Sequence, residues 1–347
     1  MQSFLQLVAH DLYAKIGNDL SRTALIFPNK RANLFFNEYL AGESDQPIWS
    51  PAAMSISDLF QKLSVQKSGD PIRLVCELYK VFKEETQSQE TLDDFYFWGE
   101  LLISDFDDVD KNMVDADKLF SNLQDLKNLM DDYEFLDKEQ EEAIQQFFQN
   151  FSIERRTELK EKFISLWDKL GTIYHHYREN LTELGIAYEG MLYRNVIEQL
   201  DTDQLKYDKY IFVGFNVLNK VENEFFRKLK DAGKALFYWD YDIFYTQQIR
   251  KHEAGEFLKR NLKEFPNELP ESFFDTFKEP KKIRSISAST ENAQARFLPE
   301  WIRMITDNHS QIAEEKEKEN AVVLCNEALL LPVLHSIPQE VKNVNIT

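Results

Sequence analysis

Basic residues are scarce in this chain. Its 347 residues carry 41 Lys and Arg against 60 Asp and Glu, a formal net charge of −19. That balance excludes a continuous basic shell for wrapping nucleic acid, because phosphate binding runs on Lys and Arg. Cysteine is nearly absent. Cys76 and Cys325 are too few for a disulfide framework or a zinc cluster, so the expected setting is the cytoplasm, with both thiols reduced. No apolar run approaches the ~20 residues of a membrane helix. Residues 1–20 lack the basic-then-apolar order of a secretory signal. The phosphate-cradling pattern Gly-x4-Gly-Lys-Ser/Thr does not occur, and neither do Gly-x-Gly-x-x-Gly, Gly-x-Ser-x-Gly or His-Glu-x-x-His. No ATP site and no cofactor are therefore expected.

What the chain does have is apolar mass. With 43% hydrophobic and 13% aromatic residues it can bury large cores, which excludes a disordered polymer, and its length suits two or three domains. The negative charge is uneven: residues 91–150 hold 17 acids and 4 bases, which leaves room for a local basic groove elsewhere.

Hydrophobic spacing predicts a helix over 4–20, a buried strand over 22–27 ended by Pro28, and a helix over 30–39 capped by Asn29. Ser55 or Ser57 should cap a short helix through Leu63, and Pro71 sits well in the first turn of another helix. From Ile72 to about Leu200 nearly everything reads as helix: 72–85, 92–105, 115–129, 138–150, 155–184 and 189–200. This predicts a helical domain inserted in, or following, an α/β start. Strands return at 210–213 and 235–239, separated by a helix over 220–231 that Gly233 closes. Two buried strands around one helix predict a parallel sheet. Further on, strands are expected at 283–287 and 321–325 and helices at 244–265, 290–306 and 327–334. Residues 343–347 read as the beginning of a strand, the start of a further α/β domain cut short.

Chemistry-bearing clusters are few. Gly233-Lys234-Ala235 lacks the hydroxyl of a phosphate loop and falls between helix and strand, the reverse of that loop's context. His175 and His176 are adjacent on a helix, so they face different directions and read as exposed helix residues. Asp105, Asp107, Asp108 and Asp110 alternate as in a calcium loop. However, Asp110 stands where glycine belongs and Ala116 where glutamate belongs, so a solvated acidic helix end is expected. Asp240 and Asp242 directly follow a buried strand, where ligands of open α/β sheets bind, and are the candidates for a metal or substrate.

Three stretches, taken together, carry a resemblance: Ala24-Leu-Ile-Phe-Pro-Asn-Lys-Arg-Ala-Asn-Leu-Phe36; Tyr210-Ile-Phe-Val-Gly-Phe-Asn-Val-Leu-Asn-Lys-Val-Glu222 with Ala235-Leu-Phe-Tyr-Trp-Asp240; and Ile286-Ser-Ala-Ser-Thr-Glu-Asn-Ala-Gln-Ala-Arg-Phe297 with Ala321-Val-Val-Leu-Cys325. In order and spacing the chain resembles the N-terminal half of AddB-like proteins, the helicase-like subunits of bacterial helicase–nuclease complexes that repair double-strand breaks. The resemblance covers most of the chain and rests on strands and punctuation, not on a diagnostic signature. It implies a superfamily 1 helicase-like, P-loop NTPase-like α/β domain whose motor motifs are lost. That domain would span 1–70 and 206–310, with the helical insertion at 71–205 and a further α/β domain starting at 321–347. It implies DNA and an AddA-like motor helicase subunit as partners, no membrane, and a nuclease domain of the PD-(D/E)XK class beyond Thr347. This chain itself is then expected to have no enzyme activity. The positions matching the family's DNA-proximal turn are Asn29, Lys30 and Arg31, with Phe35 or Phe36 placed to stack a base. Val213 runs into Gly214-Phe-Asn216 without the acidic pair that holds magnesium in motor members, so ATP hydrolysis does not carry over.

Two other readings compete. In one, the acidic segment 91–150 is a docking surface of an interaction scaffold with no nucleic-acid role. In the other, Asp240 and Asp242 hold a metal in a stand-alone α/β enzyme.

Overall fold

Thr23–Phe27 (β1) is buried along its whole length, which in a strand requires cover on both faces. The sheet around it supplies the reason. Its strands run in the order β2-β1-β5-β6, with β2 at Ala52–Ser55, β5 at Lys209–Val213 and β6 at Ala235–Tyr238. All three pairings are parallel. In the computed structural model residues 2–120, 158–246, 253–305 and 320–346 are described. They fall into two compact units, Met1–Lys278 and Glu279–Thr347.

In the first unit, α1 (Phe4–Ile16) leads to β1, α2 (Ala32–Ala41), β2, α3 (Ile56–Leu63), the two-residue β3 (Lys67–Ser68), α4 (Pro71–Thr86) and α5 (Leu92–Lys111). Then follow α6 (Glu158–Glu183), β4 (Ile186–Ala187), α7 (Glu189–Gln199), β5, α8 (Lys220–Asp231), β6, α9 (Ile243–Thr246) and α10 (Glu256–Glu264). β3 and β4 pair only with each other. The α/β class expected from the sequence is what the structure has.

Period-two alternation divides the sheet's side chains between two cores. Ala24, Ile26, Tyr210, Phe212 and Phe237 face α3 to α8, in a core rich in stacked rings. Leu25, Phe27, Ile211, Val213 and Tyr238 face α1, α2 and the segment carrying Leu269 and Phe274. A single strand thus feeds two cores, and a one-residue slip would exchange them.

Capping follows the sequence at several helices. Ser55 and Asp58 form a reciprocal capping box on α3, Asp70 caps α4 ahead of Pro71, and Asn219 with Glu222 does the same for α8. α1 is shorter than its apolar spacing predicts. It stops at Gly17, whose φ of 84° and N–H bond to Tyr13 O (2.8 Å) turn the chain away.

Some expectations are corrected. The short helix through Leu63 forms with Ser55 as its cap, and β2 just before it, to which the sequence reading assigned no element, is added by its pairing with β1. Of the expected helix over 244–265, the described residues form α9, a 3-10 turn at Glu253–Gly255 and α10, and residues 247–252 lie outside the described residues. The helix expected at 138–150 and most of that at 115–129 lie outside the described residues.

The acidic run on α5 is the largest correction. It is not a solvated end: α5 continues to Lys111 and Asp110 is fully buried. Its carboxylate accepts from Tyr174 Oη (2.6 Å), Tyr188 Oη (2.5 Å), Arg194 (3.3 Å) and Arg178. Sequence spacing could not show this, because the partners lie more than sixty residues away. Asp105, on the same helix, is the reverse case. One of its carboxylate oxygens is buried without a hydrogen-bond partner among the described residues. Burial first, and the charge of Asp108 second, push its pKa up to about 6. A carboxyl with a raised native pKa makes the folded state bind the extra proton, so stability falls as pH rises from about 4 to about 6. Asp105→Asn should therefore raise the unfolding free energy from urea denaturation at pH 7.5, by on the order of 2 kcal/mol, and leave it unchanged at pH 4. An equal shift at both pH values would show that ionisation is not the cause.

The second unit is built differently. Its described residues contain α11 (Glu291–Arg296), α12 (Leu298–Ile305) and α13 (Leu330–Ser336), around a small core of Ala295, Leu298 and Val333 with Trp301 and Leu324 against it. The helix expected over 290–306 breaks at Phe297, because Pro299 has no N–H to continue the ladder and suits a first turn instead. The strands expected at 283–287, 321–325 and 343–347 do not form. Their described residues carry no strand assignment and pair with nothing among the described residues. A strand needs a neighbour as well as β-branched composition.

Candidate nucleic-acid interface

Because every pairing is parallel, the carboxyl ends of β2, β1, β5 and β6 share one edge. β1 leads to α2, whose Phe36 and Leu40 join one core. β5 leads to α8, whose Phe225 and Phe226 join the other. Consecutive central strands thus send their helices to opposite faces, and the crevice between their carboxyl ends is the ligand position of open α/β sheets. The turns flanking it are 28–31 and 214–219. Gly214 opens the second turn with φ 74°, and its missing Cβ would stand 3.7 Å from the Phe4 ring of α1.

The first turn holds the sequence candidates. Asn29 is not the cap of α2: its Oδ1 accepts the Arg31 N–H at 3.1 Å, closing a turn within the loop. The residue at the cap position is Arg31, without a side-chain cap bond. Lys30 reaches across to β2's end, where its ammonium lies 3.0 Å from Asp58 Oδ1 with the lysine side chain 75% exposed. Burial raises the Asp58 pKa, but hydrogen bonds from Lys30 and Ser55 outweigh it and leave the carboxyl below its usual value. The Lys30–Asp58 pair is thus a surface pair of small net worth, and Lys30 can exchange Asp58 for another anion. On α2, Phe35 is 37% exposed and Leu34 is 69% exposed, whereas Phe36 is core. The same turn of helix carries Asn33, whose Oδ1 is buried with no partner among the described residues. The sequence reading passed over it, since an Asn inside a helix carries no signal of its own.

At β6's end the two acidic candidates separate. Asp242 Oδ1 accepts from Phe244 N (2.8 Å), and Oδ2 accepts from Thr276 N (3.0 Å) and Phe277 N (2.9 Å). Its carboxylate clasps the 276–277 backbone to the strand end. Asp240 is exposed at the surface, and desolvation by the packed strand end raises its pKa. Among the described residues no group of three or more His, Cys, Asp or Glu is placed to hold a metal ion.

The remaining motifs resolve as side-chain pairs. His175 and His176 point apart, to Asp117 (2.8 Å) and Glu85 (2.7 Å). Lys234 donates to Thr202 O at 2.6 Å. No helix among the described residues is long and apolar enough to cross a membrane.

No protein-family model matches the chain, and no curated protein matches it significantly.

Proposed function

We propose that this chain is the motor-less, helicase-like part of an AddB-like DNA repair protein, which binds or guides DNA and docks a motor subunit. The observation that carries the reading is the position of Lys30 and Arg31. They lie on the turn beside the switch point of a parallel sheet, with Phe35 exposed on the helix that follows. Cationic side chains beside an exposed ring suit a single strand, whose backbone takes the charge and whose bases stack. The absence of a phosphate loop from the sequence fits a subunit that holds DNA while another hydrolyses ATP.

The test is fluorescence anisotropy of a labelled oligo(dT) with the full chain across a salt series. Each single-strand phosphate contact contributes about 0.7 to the slope of log K against log salt. Lys30→Ala with Arg31→Ala should lower that slope by about 1.4 and weaken binding at every salt. Phe35→Ala should cost about 1–3 kcal/mol of binding with the slope unchanged. If the wild-type chain shows no salt-dependent binding at low ionic strength, the DNA reading is wrong.

One observation favours the scaffold reading. Within the described part of the acidic segment, α5 exposes Phe97 (69%) and Trp98 (38%) side by side. Exposed aromatics amid charge are typical anchors of protein interfaces. Phe97→Ser that abolishes association with a motor subunit, in a chain that binds no DNA, would favour docking as the sole role.

A further inference from the structure

The two carboxylate oxygens of Asp58 serve different partners. Oδ2 accepts from the Ser55 N–H at 3.2 Å and from Ser55 Oγ at 2.8 Å, while the Asp58 N–H donates to Ser55 Oγ at 3.2 Å. That oxygen belongs to the capping box of α3. Oδ1 faces the Lys30 ammonium at 3.0 Å. The register of the sheet sets up this meeting. Phe27 at the end of β1 pairs with Ser55 at the end of β2, so the β1–α2 turn stands beside the first turn of α3.

The two partners differ in freedom. Asp58 is held in place, because Ser55 is buried and Ile56, Leu59 and Phe60 of the same helix sit in the core. Lys30 reaches out from a turn on a flexible stem and is mostly exposed, so the lysine is the group that moves. When it leaves, Asp58 keeps both bonds from Ser55 and the favourable end of α3. It also stays ionised, since its pKa lies below the usual carboxylate value. The next acid along this edge, Glu189, meets Ser57 Oγ at 3.4 Å and is paired with Lys111 Nζ at 2.7 Å. Asp58 is thus the carboxylate that a phosphate on Lys30 displaces.

We propose that Asp58 is a positioning residue for DNA: it holds the Lys30 ammonium at the sheet edge in the free chain and sets, by competition, how tightly that ammonium takes a single-strand phosphate. The proposal rests on the DNA-binding reading above and gives its site an internal competitor. Nothing in the order of residues links Lys30 to Asp58; the parallel pairing of β1 with β2 brings them together.

The test measures binding of labelled oligo(dT) across a salt series to the full chain and to Asp58→Asn, Asp58→Glu, Lys30→Ala and Lys30→Ala/Asp58→Asn. In Asp58→Asn the amide carbonyl takes the place of Oδ2 toward Ser55, and an uncharged amide group faces Lys30. Asp58→Glu keeps the charge and a capping box. Asp58→Ser replaces the Asn variant should the amide disturb α3, which circular dichroism and urea midpoints report. Asp58→Asn should bind about two- to fivefold tighter, the worth of an exposed pair. Its salt slope should be unchanged, because the same phosphates are contacted. Asp58→Glu should bind as the wild type does. Once Lys30 is alanine, the gain from Asp58→Asn should fall to less than about half, the coupling that a double-mutant cycle reads.

If the wild type binds and Asp58→Asn binds no tighter, or gains as much without Lys30 as with it, the positioning proposal falls while the DNA reading stands. If Asp58→Glu gains as much as Asp58→Asn, the shape of the cap and not its charge is responsible, and the proposal falls. If the wild type binds no oligonucleotide, the DNA reading falls and takes this proposal with it.

Discussion

Replacing Asp110 with alanine is expected to destabilise the first unit by about 3–5 kcal/mol, the range for removing one partner of a buried ion pair. Asp110 has no exposed surface and lies where α5, α6 and α7 meet. Two guanidiniums and two tyrosine hydroxyls point at its carboxylate. Deleting it leaves Arg178, with a side chain only 18% exposed, without its carboxylate, leaves Arg194 with Glu198 (3.0 Å) as its remaining carboxylate, and leaves two phenols to find other acceptors. Arg178 also donates to Asn195 at 2.9 Å, and Asn195 to Gln66 at 2.7 Å, so the disturbance reaches the β3–β4 ladder. The measurement is urea unfolding followed by circular dichroism, read as a midpoint shift at unchanged slope. A triple variant, Asp110→Leu with Arg178→Met and Arg194→Met, should recover most of the loss, because apolar groups of similar volume often replace a buried ionic cluster at no net cost. A loss below about 1 kcal/mol for Asp110→Ala would mean that water reaches the cluster and that it does not lock the three helices.

The second large effect is expected at Phe212. This β5 residue is 1% exposed and its ring sits 3.9 Å from that of Phe226, 5.5 Å from Phe237 and 6.2 Å from Phe215 and Phe225. Phe212→Ala should cost about 3–5 kcal/mol, the sum of lost transfer energy and an unfilled cavity. Its neighbour Ile211, equally buried, faces the other core, and Ile211→Val should cost only about 0.5–1.5 kcal/mol. A similar loss at both positions would mean that the strand as a whole, and not the ring cluster, sets the stability. A loss at Phe212 near that of Ile211→Val would mean that α8 moves in to fill the space.

The parallel sheet was legible because its central strands announce themselves locally. Thr23–Phe27 and Lys209–Val213 are continuous apolar runs, each ended by Pro28 or Gly214, and such runs arise where both faces are covered. Helix starts were legible for the same reason: Ser55, Asp70 and Asn219 act on N–H groups two or three residues away. Asn29 shows the limit of that reasoning. The residue type is right for a cap, but its bond closes a turn one step earlier, and only the angle at which β1 hands over to α2 decides between the two.

The candidate site divides in the same way. Lys30, Arg31 and Phe35 were named from their order along the chain. That Lys30 meets Asp58 and that Asp242 is taken up by the 276–277 backbone both depend on elements folding together. The order of residues by itself determined the α/β class, the central strands, most helix starts and the lack of a phosphate loop, because these follow from spacing, capping and composition within a few residues. Only the tertiary structure decided that β2 is a strand, that 283–287 and 321–325 are not, and that Asp110 is a buried hub. In each case the deciding partner is distant in sequence or lacking among the described residues, and pairing energy belongs to neighbours in space.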